Sequence, residues 1–191
     1  MPNEMTEIRW HGRGGQGAKT AATMVAEVAL EEGKFSQGFP EYGPERMGAP
    51  IRGYTRISGQ PIRLHCPITA PDVVVVLDPT LIGADNLADG LKPDGAIIVN
   101  THEPPAAIRA KLGLSNGRVY TVDATKIAIE EIGRPIPNTP MIGALIRVSG
   151  FMKLETVFHD IKKKFLKKLG ERVVQGNINA VQRAYQEVMS E

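Results

Sequence analysis

Gly12, Gly14 and Gly17 stand in the spacing G-x-G-x-x-G within the run Gly12-Arg13-Gly14-Gly15-Gln16-Gly17-Ala18-Lys19-Thr20. Glycines so placed let the backbone approach a phosphate at a helix start, where unpaired N–H groups and the helix dipole favour an anion. Arg13 and Lys19 are positioned in the chain to add charge-assisted hydrogen bonds to the same anion. Two familiar nucleotide motifs are incomplete. A dinucleotide site needs an acidic residue about 20 positions on, at the end of a second strand. Here Glu41 lies beyond Pro40, in a loop. A P-loop needs Gly-Lys-Thr, and Ala18 separates Gly17 from Lys19. Two roles stay open: the loop holds an anion, or its glycines only let a helix pack close to a sheet.

The elements that must position this loop follow from periodicity. Ile8 and Trp10 alternate with polar neighbours in Glu7–His11, as in a strand with one buried face. Ala21–Glu32 reads as a helix stopped by Gly33, so strand, loop and helix open a βαβ unit. Lys34–Phe39 predicts a second strand. Pro40–Pro50 is punctuated by three prolines and two glycines and cannot be regular structure. It carries Tyr42, Arg46 and Met47, residue types enriched at interface centres, so it is a surface connection or an intersubunit contact. Ile51–Ile57 alternates, Ser58-Gly59-Gln60 makes a turn, and Pro61–Cys66 alternates again. That pattern predicts an antiparallel hairpin with Arg52, Arg56 and Arg63 on or near one hydrophilic face.

Pro71–Asp78, with four successive valines, predicts a strand buried on both faces. A short helix over Thr80–Ala88 and strands at Ala96–Asn100 and Arg118–Val122 follow. Asp123 or Thr125 caps a helix through Ile132, and Asn138-Thr139-Pro140 starts another. Leu154, Val157, Phe158, Ile161, Phe165 and Leu169 form a further helical stripe. Lys162, Lys163, Lys164, Lys167 and Lys168 surround it, as a solvated face or a surface for an acidic partner. A last helix is expected from Asn177 to Met189.

The 191 residues, 42% hydrophobic and 23% charged, fit a single soluble domain spanning 1–191. A formal charge of +2 argues against nucleic acid, and no apolar run is long enough to cross a membrane. The N-terminus lacks a signal-peptide layout. One cysteine, Cys66, leaves no internal disulfide and points to a reducing, cytoplasmic setting. It also leaves the chain without the roughly four thiolates of an iron–sulfur cluster. His11, His65, His102 and His159 are scattered, without metal-ligand spacing, so no metal site is expected. Asp78 and Asn100 fall at strand C-terminal ends, where open α/β sheets bind ligands and where helix caps also sit. No catalytic residue is assigned. The inventory is that of a binding or assembly module.

The glycine loop with its alanine-rich helix, the segment Tyr42-Gly43-Pro44-Glu45-Arg46-Met47-Gly48-Ala49-Pro50, the Arg56-Ile57-Ser58 strand end and the Asn138-Thr139-Pro140-Met141 start together resemble the gamma subunit of 2-oxoacid:ferredoxin oxidoreductases, nearest the pyruvate type. Met47 departs from the more usual glycine, which leaves the substrate subtype open. The resemblance implies a multi-subunit enzyme converting pyruvate, coenzyme A and oxidised ferredoxin to acetyl-coenzyme A, carbon dioxide and reduced ferredoxin. It implies alpha, beta and delta partner subunits that carry thiamine diphosphate, Mg2+ and [4Fe-4S] clusters. Gamma would serve assembly, with coenzyme A as a ligand of the loop. The expected fold is α/β: a three-layer, Rossmann-like domain with a mixed, mostly parallel sheet, an antiparallel hairpin and C-terminal helices. The rival reading is a free-standing nucleotide-binding oxidoreductase using Gly12, Gly14 and Gly17. It lacks the acidic ribose residue and a catalytic acid or base.

Overall fold

The computed structural model describes residues 5–41 and 48–191. The strands are β1 (Thr6–Arg13), β2 (Phe35–Pro40), β3 (Pro50–Ser58), β4 (Val73–Val76), β5 (Ala96–Asn100), β6 (Arg118–Val122) and β7 (Met189–Ser190). They form one sheet in the order β2-β3-β1-β4-β5-β6-β7. β1, β4, β5 and β6 pair in parallel, whereas β3 runs antiparallel to both β1 and β2, and β7 antiparallel to β6. Five of these strands thus point one way, giving the mixed, mostly parallel sheet that the sequence predicts.

β4 sits at the centre because valines bury well on both faces of a pleated strand. Val73 and Val75 face a core built with α1 (Ala18–Glu31), α3 (Ala124–Ile132), α4 (Asn138–Ser149) and α5 (Leu154–Glu187). Val74 and Val76 face a second core with Leu81, Leu87 and Ile108, the last on α2 (Pro105–Leu112). These are the three layers. α1 lies close on β1 and β3 through its alanines, and the Thr55 hydroxyl ties them: it accepts from Trp10 Nε1 at 3.0 Å and donates to the Ala22 carbonyl at 2.9 Å.

The sequence-based expectations change in three places. The hairpin's second arm, Pro61–Cys66, forms no strand. Both edges of β3 are already taken, by β1 and β2, so this segment has no ladder to join, and Pro61 lacks an N–H. The antiparallel pair is β2 with β3 instead. Thr80–Ala88 is not a helix: a 3-10 turn at Pro79–Leu81 gives way to turns. The last helix begins well before Asn177. α5 continues past a break at Gly170, whose φ of 78° suits glycine, and Val174, Ala180, Val181 and Ala184 on its second arm are buried.

Beside β1, β2 and β3 the second face is lined by charged and polar side chains instead of aliphatic ones. Arg9 and His11, 5% and 1% exposed, project from β1 opposite Ile8 and Trp10. Arg9 donates to His11 Nε2 at 3.0 Å and to the carbonyls of Leu87 and Asp89 at 3.1 and 2.6 Å. The imidazole therefore keeps its proton on Nδ1, which lies 3.3 Å from Asp85 Oδ2. Arg52 meets the other Asp85 oxygen at 2.8 Å. Arg56 donates to Glu7 at 2.8 Å and lies over the Phe39 ring. Burial, reinforced by the Arg9 charge and only partly offset by Asp85, pushes the His11 pKa down to about 4.

Candidate functional site at the strand ends

β1 leads through α1 to β2 on one side of the sheet, while β4 leads to β5 on the other. The C-terminal ends of β1 and β4 therefore form a topological switch point, the crevice where open α/β sheets bind ligands. The glycine loop leaves β1 at this point. The Gln16 N–H donates to the Arg13 carbonyl at 3.1 Å, and the Arg13 N–H donates to Gln16 Oε1 at 2.7 Å, closing a tight turn. The Gly14 N–H donates to the Ala49 carbonyl at 3.1 Å, tying the loop to the residues that lead into β3.

Gly17, at φ 82°, caps α1 by its backbone alone, with no side-chain hydrogen bond. A Cβ on Gly17 would stand 2.5 Å from Asn138 Nδ2. α1 and α4 consequently start beside one another, and α1 leaves its first N–H groups without intrahelical partners. Lys19, on this exposed first turn, brings a cation to the same place.

Asp78 locks the loop from below. Its Oδ1 accepts from the Thr80 N–H at 2.9 Å and the Thr80 hydroxyl at 2.7 Å, and its Oδ2 accepts from Gln16 Nε2 at 2.6 Å. Arg13 Nε stands 3.3 Å from that Oδ2. Partial burial works to raise the Asp78 pKa, but the Thr80 and Gln16 hydrogen bonds and the Arg13 charge outweigh it and hold the carboxyl below its ordinary value. Arg13 is spent in the same knot, bonded to Thr80 Oγ1 at 3.1 and 3.2 Å and to the Gly48 carbonyl at 3.1 Å. On the far side Asn100 donates to the Leu77 carbonyl and to Thr125 Oγ1, both at 2.8 Å, and accepts from the Thr125 N–H at 3.0 Å.

Gly12, Arg13, Gly14, Gly15, Gln16, Gly17 and Lys19 are thus brought together at one strand end, but in different roles. Arg13 and Gln16 turn inward to hold the loop, while Lys19 and the α1 start face outward. Tyr42, Arg46 and Met47 lie outside the described residues. Sequence reasoning missed the Asp78–Thr80–Gln16 knot and the contact of Asn138 with Gly17. Asp-Pro-Thr is a legible cap signal, whereas the Asn138 contact joins residues far apart in the chain and leaves no local trace. Among the described residues no group of three His, Cys, Asp or Glu side chains could hold a metal ion. Among the described residues no helix is long and apolar enough to cross a membrane.

Residues 7–187 match the family model described as pyruvate ferredoxin/flavodoxin oxidoreductase, and the chain belongs to that family. Its relatives place it with the gamma subunits. The Thermotoga maritima protein named pyruvate synthase subunit PorC is 51% identical over 182 residues, covering 95% of this chain and 94% of that one. The common gamma subunit of the pyruvate/ketoisovalerate oxidoreductases of Pyrococcus furiosus is 46% identical over 95% of this chain and 96% of its own length. The crystal structure of the pyruvate oxidoreductase subunit PORC from Thermotoga maritima superposes with a TM-score of 0.88 at 47% identity, covering 98% of this chain and 99% of that one. The gamma-subunit resemblance is borne out, and the free-standing oxidoreductase is not favoured.

Proposed function

We propose that this chain is a non-catalytic gamma subunit of a cytoplasmic pyruvate synthase. It assembles with alpha, beta and delta chains and presents the glycine loop to a phosphate of coenzyme A. The complex would convert pyruvate, coenzyme A and oxidised ferredoxin to acetyl-coenzyme A, carbon dioxide and reduced ferredoxin. Thiamine diphosphate with Mg2+ and the [4Fe-4S] clusters would sit on the partners, because a single cysteine cannot ligate a cluster. The observation that carries the coenzyme A reading is the joint start of α1 and α4 at Gly17, with Lys19 exposed beside it and in no ion pair among the described residues. Unpaired helix N–H groups and a lysine bind a phosphate by charge-assisted hydrogen bonds and orient it without taking part in bond making.

Metal analysis and a dye-reduction assay test the division of labour. The purified chain should carry no stoichiometric iron and reduce no dye with pyruvate and coenzyme A, and activity should return on adding the partner subunits. Turnover by the chain alone would defeat the proposal.

A further inference from the structure

α5 uses its cations in two ways. Lys163 and Lys164 turn to α1: Lys163 meets Glu31 at 2.7 Å, and Lys164 meets Glu27 and, at 2.8 Å, the buried Asp160. Lys162, Lys167, Lys168 and Arg172 are exposed and form no ion pair among the described residues. They gather where the helix breaks. Gly170, at φ 78° and ψ 169°, ends the first arm, and every residue from Leu166 to Arg172 is exposed, so this elbow projects from the domain. Leu166 and Leu169, 44% and 53% exposed, lie in line with Lys162 and outside the buried stripe of Val157 and Ile161. Among the described residues no other two exposed large apolar side chains share a helical turn. A cavity of about 560 Å³ spans the break, lined by Lys162, Leu166, Glu171, Arg172, Val174 and Gln175.

We propose that this elbow docks an acidic, amphipathic helix of a partner subunit in the oxidoreductase. The proposal rests on the assembly reading above and adds the surface and the chemistry of what covers it. Two leucines bracketed by cations call for apolar side chains at the centre of the partner and carboxylates around them. Four cations against one carboxylate, Glu171, fix the sign of that partner. α5 already shows the mode of contact, since Lys163 and Lys164 meet Glu31 and Glu27, one turn apart on the neighbouring helix α1. Apolar side chains exposed side by side favour a lasting contact over a passing one. A nucleic acid would leave both leucines uncovered, and an anionic lipid surface would meet Glu171 with like charge.

The test is the affinity of this chain for the remaining subunits of the complex, measured by analytical ultracentrifugation at about 50 and about 500 mM salt. Lys167→Glu with Lys168→Glu and Arg172→Glu should weaken joining about tenfold or more at the lower salt, and the gap should narrow at the higher. Leu166→Ser with Leu169→Ser should weaken it about tenfold at both. Circular dichroism of each variant should match the parent, because these side chains are exposed. Should the reversed chain fail to fold, Lys167→Gln with Lys168→Gln probes the same surface and should weaken joining severalfold. Folded variants that join as tightly as the parent overturn the proposal. So does unchanged joining together with binding of the complex to phosphatidylcholine–phosphatidylglycerol vesicles that the charge reversal abolishes, since the elbow would then serve a lipid surface. Failure of the parent chain itself to join those subunits is a different result, and it defeats the assembly reading and this proposal with it.

Discussion

The two halves of the sheet bury their second face by opposite means. From β4 to β6, Val74, Val76, Ile97, Val99 and Val119 pack against Leu81, Leu87 and Ile108. From β1 to β2 the same face holds Arg9, His11, Arg52, Tyr54 and Arg56, answered by Asp85, Glu41 and Glu7. The apolar half gains from area removed from water and tolerates small changes of shape. The ionic half has paid desolvation already and depends on every partner being present. The glycine loop leaves β1 at the seam between them.

The largest way to break this contrast is Arg9→Met. It keeps volume but leaves His11 Nε2 and two carbonyls without a donor, so the cost should be about 3–5 kcal/mol, measured by denaturant unfolding. A loss below 1 kcal/mol would mean that water replaces the guanidinium freely. Acid comes next. His11 titrates about 4 when folded and near 6.5 when unfolded, so its contribution is present above 6.5 and drains away as pH falls toward 4. That amounts to on the order of 3 kcal/mol. His11→Gln should flatten stability across that window, while the carboxylates Asp78 and Asp85, both held below their usual values, act only at lower pH. Equal pH slopes in parent and variant would remove His11 as the cause. The smallest effect belongs to the apolar half, where Ile97→Val should cost about 1 kcal/mol with no pH dependence.

The contrast also explains what could be read from the chain. The apolar half was legible because unbroken valine and isoleucine runs have one stable location, and the strands at 73–76, 96–100 and 118–122 fall where periodicity puts them. In the ionic half alternation gave strands but not their neighbours. Arg52 and Arg56 read as a hydrophilic face, yet Arg56 is only 1% exposed. The segment 61–66 alternates as a strand would, yet β2 holds the edge it needed. Pairing between distant strands leaves no local signal. At the site the glycine spacing was legible. What was not is the use of Arg13, Gln16 and Asp78 to hold the loop, because it depends on β1 and β4 lying side by side.

Coenzyme A saturation of assembled Lys19→Ala enzyme tests the central claim most directly. Lys19 makes no backbone demand of the glycine kind, so the fold should be spared, whereas Gly15 at φ 99° and Gly17 beside Asn138 would confound binding with strain. The account predicts a KM for coenzyme A raised up to about tenfold, the loss of one charged hydrogen bond, with the KM for pyruvate unchanged. A saturation curve identical to the parent's would contradict it and leave the glycine loop as packing alone.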